Sequence, residues 1–222
     1  MAIHGVAYGR ATPEQVKMVT ESLIRSGEFE EAQKKHPGLS DSETIRMMQW
    51  DHGVGIDCAG YVQQAFLAVH GGSRADYGFR TFENEDLMSL KGNKHFAQVK
   101  PQDVRPGDLI ALDNPPGDRV GHTVLVRDRH VATSAEMSKY QDPDSFSKSG
   151  DKVHVYEVDA SFGGGYTGDR GGVVRKVWMY NETSGKWAEI VKDDSGDEKI
   201  QISSMNGPYN HPMNGIYRPK GK

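Results

Sequence analysis

The sequence predicts an α+β fold in which helices come first and an antiparallel sheet follows. Two capping boxes open helices within the first fifty residues. The single cysteine then starts an apolar helical run. Beyond residue 100 the apolar stretches become short and are punctuated by Gly, Pro and Asn turns, as strands are. A chain of 222 residues can bury a sizeable core as one unit with a small appendage. The reading divides it into an amino-terminal helical segment, 1–49, packed on a larger domain, 50–222.

Thr12-Pro13-Glu14-Gln15 combines a threonine cap, proline at the first helical position and glutamine closing the box. Val16, Val19, Leu23 and Ile24 then share one face to about Arg25. Glu28 to Lys35 reads as a polar second helix ended by His36-Pro37-Gly38. Ser40-Asp41-Ser42-Glu43 is a second capping box, placed before Ile45, Met48 and Trp50. Gly71 to Val104 is mostly polar, with Tyr77, Phe79, Phe82 and Phe96 as core anchors of a long loop and a short helix expected at Glu83 to Leu90. Leu109 to Leu112 reads as a short buried strand after the Pro106-Gly107-Asp108 turn, and a second strand begins at His122. Ser134 to Lys152 is an insertion between strands. Val153 to Ser161 and Val173 to Tyr180 alternate as strands. Asn181 to Gly185 turns the chain into a hairpin strand over Lys186 to Val191, and Lys192 to Glu198 is an acidic loop before a short strand at Ile200 to Ser203. The glycine-rich run from Ser161 to Gly172 is not a phosphate loop, because no Gly-Lys-Ser/Thr follows and the next element is a strand.

The chemistry centres on Gly55-Ile56-Asp57-Cys58-Ala59-Gly60-Tyr61-Val62. A thiol in the first turn of a helix meets the positive end of the dipole and unpaired backbone N–H groups. Both favour the nucleophilic thiolate, and the same N–H groups can hold an oxyanion. A single cysteine on a helix is commonly only a small apolar residue. Here small neighbours leave room for a substrate, and His122 downstream, at a strand start behind Gly121, is placed to act as a base. Such a pair takes a third polar group to orient the imidazole. Asp159 at the end of its strand is the candidate, with Glu157 on the same face, Ser134 and His154 as alternatives. His95, His130, His154 and His211 are expected singly on the surface.

Asp57-Cys58-Ala59-Gly60-Tyr61-Val62, then Arg105-Pro106-Gly107-Asp108-Leu109-Ile110, then Gly121-His122-Thr123-Val124 resemble the NlpC-type cysteine peptidases, papain-like enzymes related to the CHAP amidases. The blocks occur in the family's order over roughly Trp50 to Tyr180, and Gly215-Ile216-Tyr217-Arg218-Pro219 resembles its closing strand. The resemblance implies a papain-like fold and cleavage of an amide bond in bacterial peptidoglycan stem peptides. Cys58 would be nucleophile, His122 base and then acid, and Asp159 the orienting residue, with no cofactor and no metal. Two positions depart from the pattern. Ala59 replaces the usual serine, and Met48-Gln49-Trp50-Asp51-His52-Gly53 lacks the upstream tyrosine that supports the oxyanion site in many members.

The slightly acidic net charge of −4, without basic runs, speaks against a nucleic-acid partner. No apolar stretch reaches the ~20 residues of a transmembrane span. Met1 to Arg10 carries no signal-peptide pattern. The expectation is therefore a wall hydrolase made in the cytoplasm and exported by a specialised route. A type VI secretion system delivering an antibacterial toxin to the target periplasm is the favoured form, with a secretion component and an immunity protein as partners. A thiol acyltransferase, a phage lysis or tail enzyme and a wall-binding module with a degenerate site are the alternatives.

Overall fold

The computed structural model describes residues 11–55, 58–79, 87, 90–113, 121–141, 143–162, 172–192, 195–208 and 211–221. It opens with α1 (Pro13–Arg25), α2 (Glu28–Lys35) and α3 (Asp41–Asp51). Both capping boxes form, with the Thr12 and Ser40 hydroxyls accepting from the Gln15 and Glu43 N–H groups. The three helices pack on one another, tied by Lys35 to Asp51 at 2.7 Å, His52 to Glu28 at 3.0 Å and Gln49 to Thr20 at 2.8 Å. Val16, Val19 and Leu23 cover Ala11 and Val54 as the spacing predicts. Ile24 differs from expectation and is exposed; Trp50, on α3, is exposed as well, at 60%.

Among the described residues the sheet has eight antiparallel strands in the order β1-β8-β2-β3-β4-β5-β6-β7. They are β1 (Phe96–Gln98), β2 (Leu109–Leu112), β3 (His122–Val131), β4 (Val153–Phe162), β5 (Gly172–Asn181), β6 (Trp187–Lys192), β7 (Glu198–Ile202) and β8 (Met213–Pro219). The fold is thus α+β, as read from the sequence. Consecutive strands β2 through β7 are neighbours, joined by local connections such as the turn in which Asn181 Oδ1 accepts the Thr183 and Ser184 N–H groups. Only β8 breaks the chain order, inserting between β1 and β2. The Ser134 to Lys152 insertion forms two short helices, α5 (Ser134–Met137) and α6 (Pro143–Phe146), and buries Phe146 against Val155 and Met179.

Alternation divides the sheet into two buried faces. Leu109, Ala111, Leu125 and Tyr217 face α4 (Cys58–His70), meeting Ala59, Val62 and Phe66. Ile110, Leu112, Val124, Val126, Val158, Ala160 and Ile216 line the other face with Tyr156, Trp178 and Trp187. Phe66 is fully buried and sits edge-on to Tyr77 at 4.9 Å, with Phe79 and Phe96 within 5.8 Å. Burying one such ring stabilises the fold by about 2–3 kcal/mol. The polar loop after α4 is therefore anchored by Tyr77, Phe79 and Phe96 as predicted. Phe82, most of the Glu83–Leu90 helix, Ile56, Asp57 and the central glycine-rich run lie outside the described residues.

Candidate active site

Cys58 is the first residue of α4 and is half-buried. Ala59 and Gly60 behind it are buried and small, which lets the helix start sit close to the sheet. α4 packs against β3 and β4. Its far end is fixed by His70, whose Nε2 is 2.9 Å from the Gly107 carbonyl.

Tyr61, one turn after Cys58, lies in the field of Asp159, Arg127 and Arg175. Burial first and the Asp159 charge second push its phenol above the ordinary value. Asp159 pairs with Arg175 at 3.4 Å and Arg127 at 3.8 Å, and Arg175 lies 3.9 Å from Glu157. A charged cluster thus lies on β3, β4 and β5 beside the first turn of α4.

His122 begins β3, as the sequence reading places it, and is buried at 8% exposure. It stands opposite Leu112 in β2. Burial, and secondarily the His211 charge, lower its imidazole to about 3, so it is neutral at pH 7. His211 is itself buried, at 5% exposure, two residues before Met213, which pairs with Leu112. This corner carries a β-bulge: Gly215 opposes Ala111 and Met213 opposes Leu112, so Asn214 is the extra residue. The Asn214 amide donates to Asp113 Oδ1 at 2.8 Å, and its oxygen accepts the Tyr217 hydroxyl at 2.9 Å.

Asp159 is next to the turn that carries Cys58, and His122 is next to His211. The register separates Asp159 from His122, because Asp159 pairs with Leu125, three residues further along β3 and on the alternate face. Asp159 is held by arginines in place of the imidazole it was expected to orient. Glu157 pairs with Val177 and shares the Asp159 face. Ser134 starts the short α5, away from His122. His154 is fully buried, against expectation, 2.8 Å from Glu182. His211 is the residue that sequence reading missed. Its signal was faint: Asn210-His211-Pro212 looks like an ordinary turn, and nothing in the spacing couples it to His122. His95 and His130 are half-buried and exposed respectively.

Among the described residues no group of three or more His, Cys, Asp or Glu side chains could hold a metal ion. No described helix is long and apolar enough to cross a membrane. Comparisons with protein-family models, curated proteins and solved structures gave no match.

Proposed function

We propose that the protein is a cysteine hydrolase that cleaves an amide bond in bacterial peptidoglycan stem peptides. The observation that carries this reading is the position of Cys58: half-buried, at the first residue of a helix that packs against a sheet whose third strand begins with His122. Aligned N–H groups at that helix start favour the thiolate and can later hold the tetrahedral oxyanion. In the proposed cycle His122 takes the thiol proton and Cys58 Sγ bonds to the carbonyl carbon. The C–N bond then breaks and the amine leaves with the proton from His122. Water, deprotonated by His122, attacks the thioester, releases the acid and restores the thiol. His211 is the positioning residue for His122. A papain-like arrangement and delivery to a competitor's periplasm belong to the same proposal and rest on the motif resemblance.

One observation favours a second reading. By alternation His122 belongs with Leu112 and Val124, on the face turned away from α4. A wall-binding domain whose cysteine does no chemistry would tolerate that arrangement.

Digestion of diaminopimelate-type peptidoglycan by wild type and Cys58→Ala, read by mass spectrometry of released muropeptides, separates the two. New fragments from wild type alone support the hydrolase, and their masses identify the bond. Sedimentation of the folded protein with intact wall, without any fragment, supports the binding domain.

A further inference from the structure

A second polar feature lies toward the opposite end of β3 from His122. The end of β1 and the residues between β1 and β2, together with Arg129 of β3 and Arg218 of β8, enclose an open cavity of ≈ 640 Å³. Its lining carries four cationic side chains, Lys100, Arg105, Arg129 and Arg218, against one carboxylate, Asp103. Arg129 is seven residues from His122 along β3, about 20 Å at strand spacing.

Two of these cations are fixed in place before any ligand arrives. Arg218 donates through Nε and Nη2 to Asp108 at 2.9 and 2.8 Å, and Nη2 also donates to the Asp103 carbonyl at 2.7 Å. Arg129 Nη2 donates to the Gln102 carbonyl at 2.8 Å and to His154 Nδ1. His154 in turn donates from Nε2 to Glu182 at 2.8 Å, so its ring has a defined orientation and accepts from Arg129. The single turn Pro101–Asp103 is thereby clamped between two strands by guanidinium groups. Arg129 Nε is buried and has no acceptor. A buried N–H on a cation without an acceptor is costly to keep, which leaves the positive charge of this guanidinium incompletely compensated.

The compensating charges are unequal. Asp108 neutralises Arg218, but Arg129 is braced by a carbonyl and an imidazole, neither of which carries a full negative charge in that role. Lys100 and Arg105 are exposed on the rim. Volume and lining charge point to the same class of occupant, larger than a lone chloride and carrying more than one negative charge.

We propose that this cavity is a binding site for a small divalent oxyanion, a diphosphate or dicarboxylate group, held by Arg129 at its floor and by Lys100 and Arg105 at its rim. The site is independent of the cysteine chemistry. Pre-set guanidinium donors lose little entropy on binding, which suits planar or branched oxyanions better than a flexible lysine pair would.

Titration calorimetry with the full chain at low ionic strength tests this, using inorganic pyrophosphate and glutarate as the two probes. Wild type is expected to bind at least one of them saturably, with affinity falling as salt is added. Which probe binds assigns the phosphate or carboxylate class. Lys100→Gln and Arg105→Gln, exposed positions that leave the fold intact, should each weaken binding at least about fivefold. Arg129→Gln should abolish it if the variant folds, and the two rim variants decide the matter if it does not. Cys58 alkylation rates should not change on saturation. Failure of both probes to bind at millimolar concentration, or binding unaltered in the rim variants, overturns the proposal.

Discussion

Asp108 and Arg218 join the start of β2 to the end of β8 through two charge-assisted hydrogen bonds of 2.9 and 2.8 Å, with the Asp108 side chain almost fully buried. Asp108 also accepts the Arg105 N–H at 2.8 Å, so one carboxylate closes the Arg105-Pro106-Gly107-Asp108 turn and anchors the inserted strand. Asp108→Ala leaves a half-covered guanidinium and an open turn, and should cost about 3 kcal/mol. Asp108→Asn, which keeps an acceptor for the turn, should cost less. Urea denaturation of the three proteins checks the order; equal stability of wild type and Asp108→Ala would remove this account.

His122 makes the fold sensitive to mild acid. Its folded pKa of about 3 lies below the ordinary 6.5, so the unfolded chain takes up the proton first as pH falls. The stability due to its neutral form is complete above pH ~6.5 and is lost progressively toward pH 3, by at most about 1.4 kcal/mol per unit. Burial lowers His154 as well, adding loss in the same direction. The depressed carboxylates Asp51 and Asp151 act only at lower pH, below their ordinary 3.8. Unfolding free energies between pH 7 and 5 should fall with pH in wild type and fall less in His122→Gln. An identical slope in the variant would show that His122 does not carry the effect.

Gly107 has φ +90°, and a Cβ there would lie 2.8 Å from His70 Nε2, the atom bonded to its own carbonyl. Gly107→Ala should therefore cost about 2 kcal/mol, from left-handed backbone strain and displacement of the α4 terminus together. Adding His70→Ala relieves the collision and leaves the backbone strain. Thermal melts of the single and double variants separate the two parts, and an unshifted melt for Gly107→Ala would contradict both.

The two candidate partners for the imidazole make opposite predictions under the proposed hydrolase chemistry. His211→Gln should lower kcat at least about tenfold and displace the pH–rate profile, because it faces the base. Asp159→Asn should change activity little, since arginines hold that carboxylate. A larger kcat loss in Asp159→Asn, with the pH profile of His211→Gln unmoved, would restore Asp159 to the site.

Local chemistry made much of this architecture readable in advance. Thr12 and Ser40 announced their helices by side-chain capping, and Leu109 to Leu112 announced a strand by being apolar throughout between a turn and a loop. Cys58 at a helix start and His122 at a strand start are likewise consequences of short-range pattern. What escaped was long-range. Nothing near Met213 tells that its strand lies between Phe96–Gln98 and Leu109–Leu112, and that insertion is what brings His211 to His122. For Asp159, alternation defines a strand's faces but not its register against a neighbour: it pairs with Leu125, three residues from His122, and lies beside Arg127 and Arg175.

The insertion of β8 also orders events in time. While a nascent chain is still being made, β1 and β2 have emerged long before residues 213–219, and the wholly apolar β2 waits with one edge open. The strand that covers it arrives more than a hundred residues later, a contact slow to form for any polypeptide. Ribosome-bound intermediates stalled before residue 213 should thus be the stage at which this protein most needs a chaperone, and the corner holding His122 and His211 cannot assemble until that stage has passed.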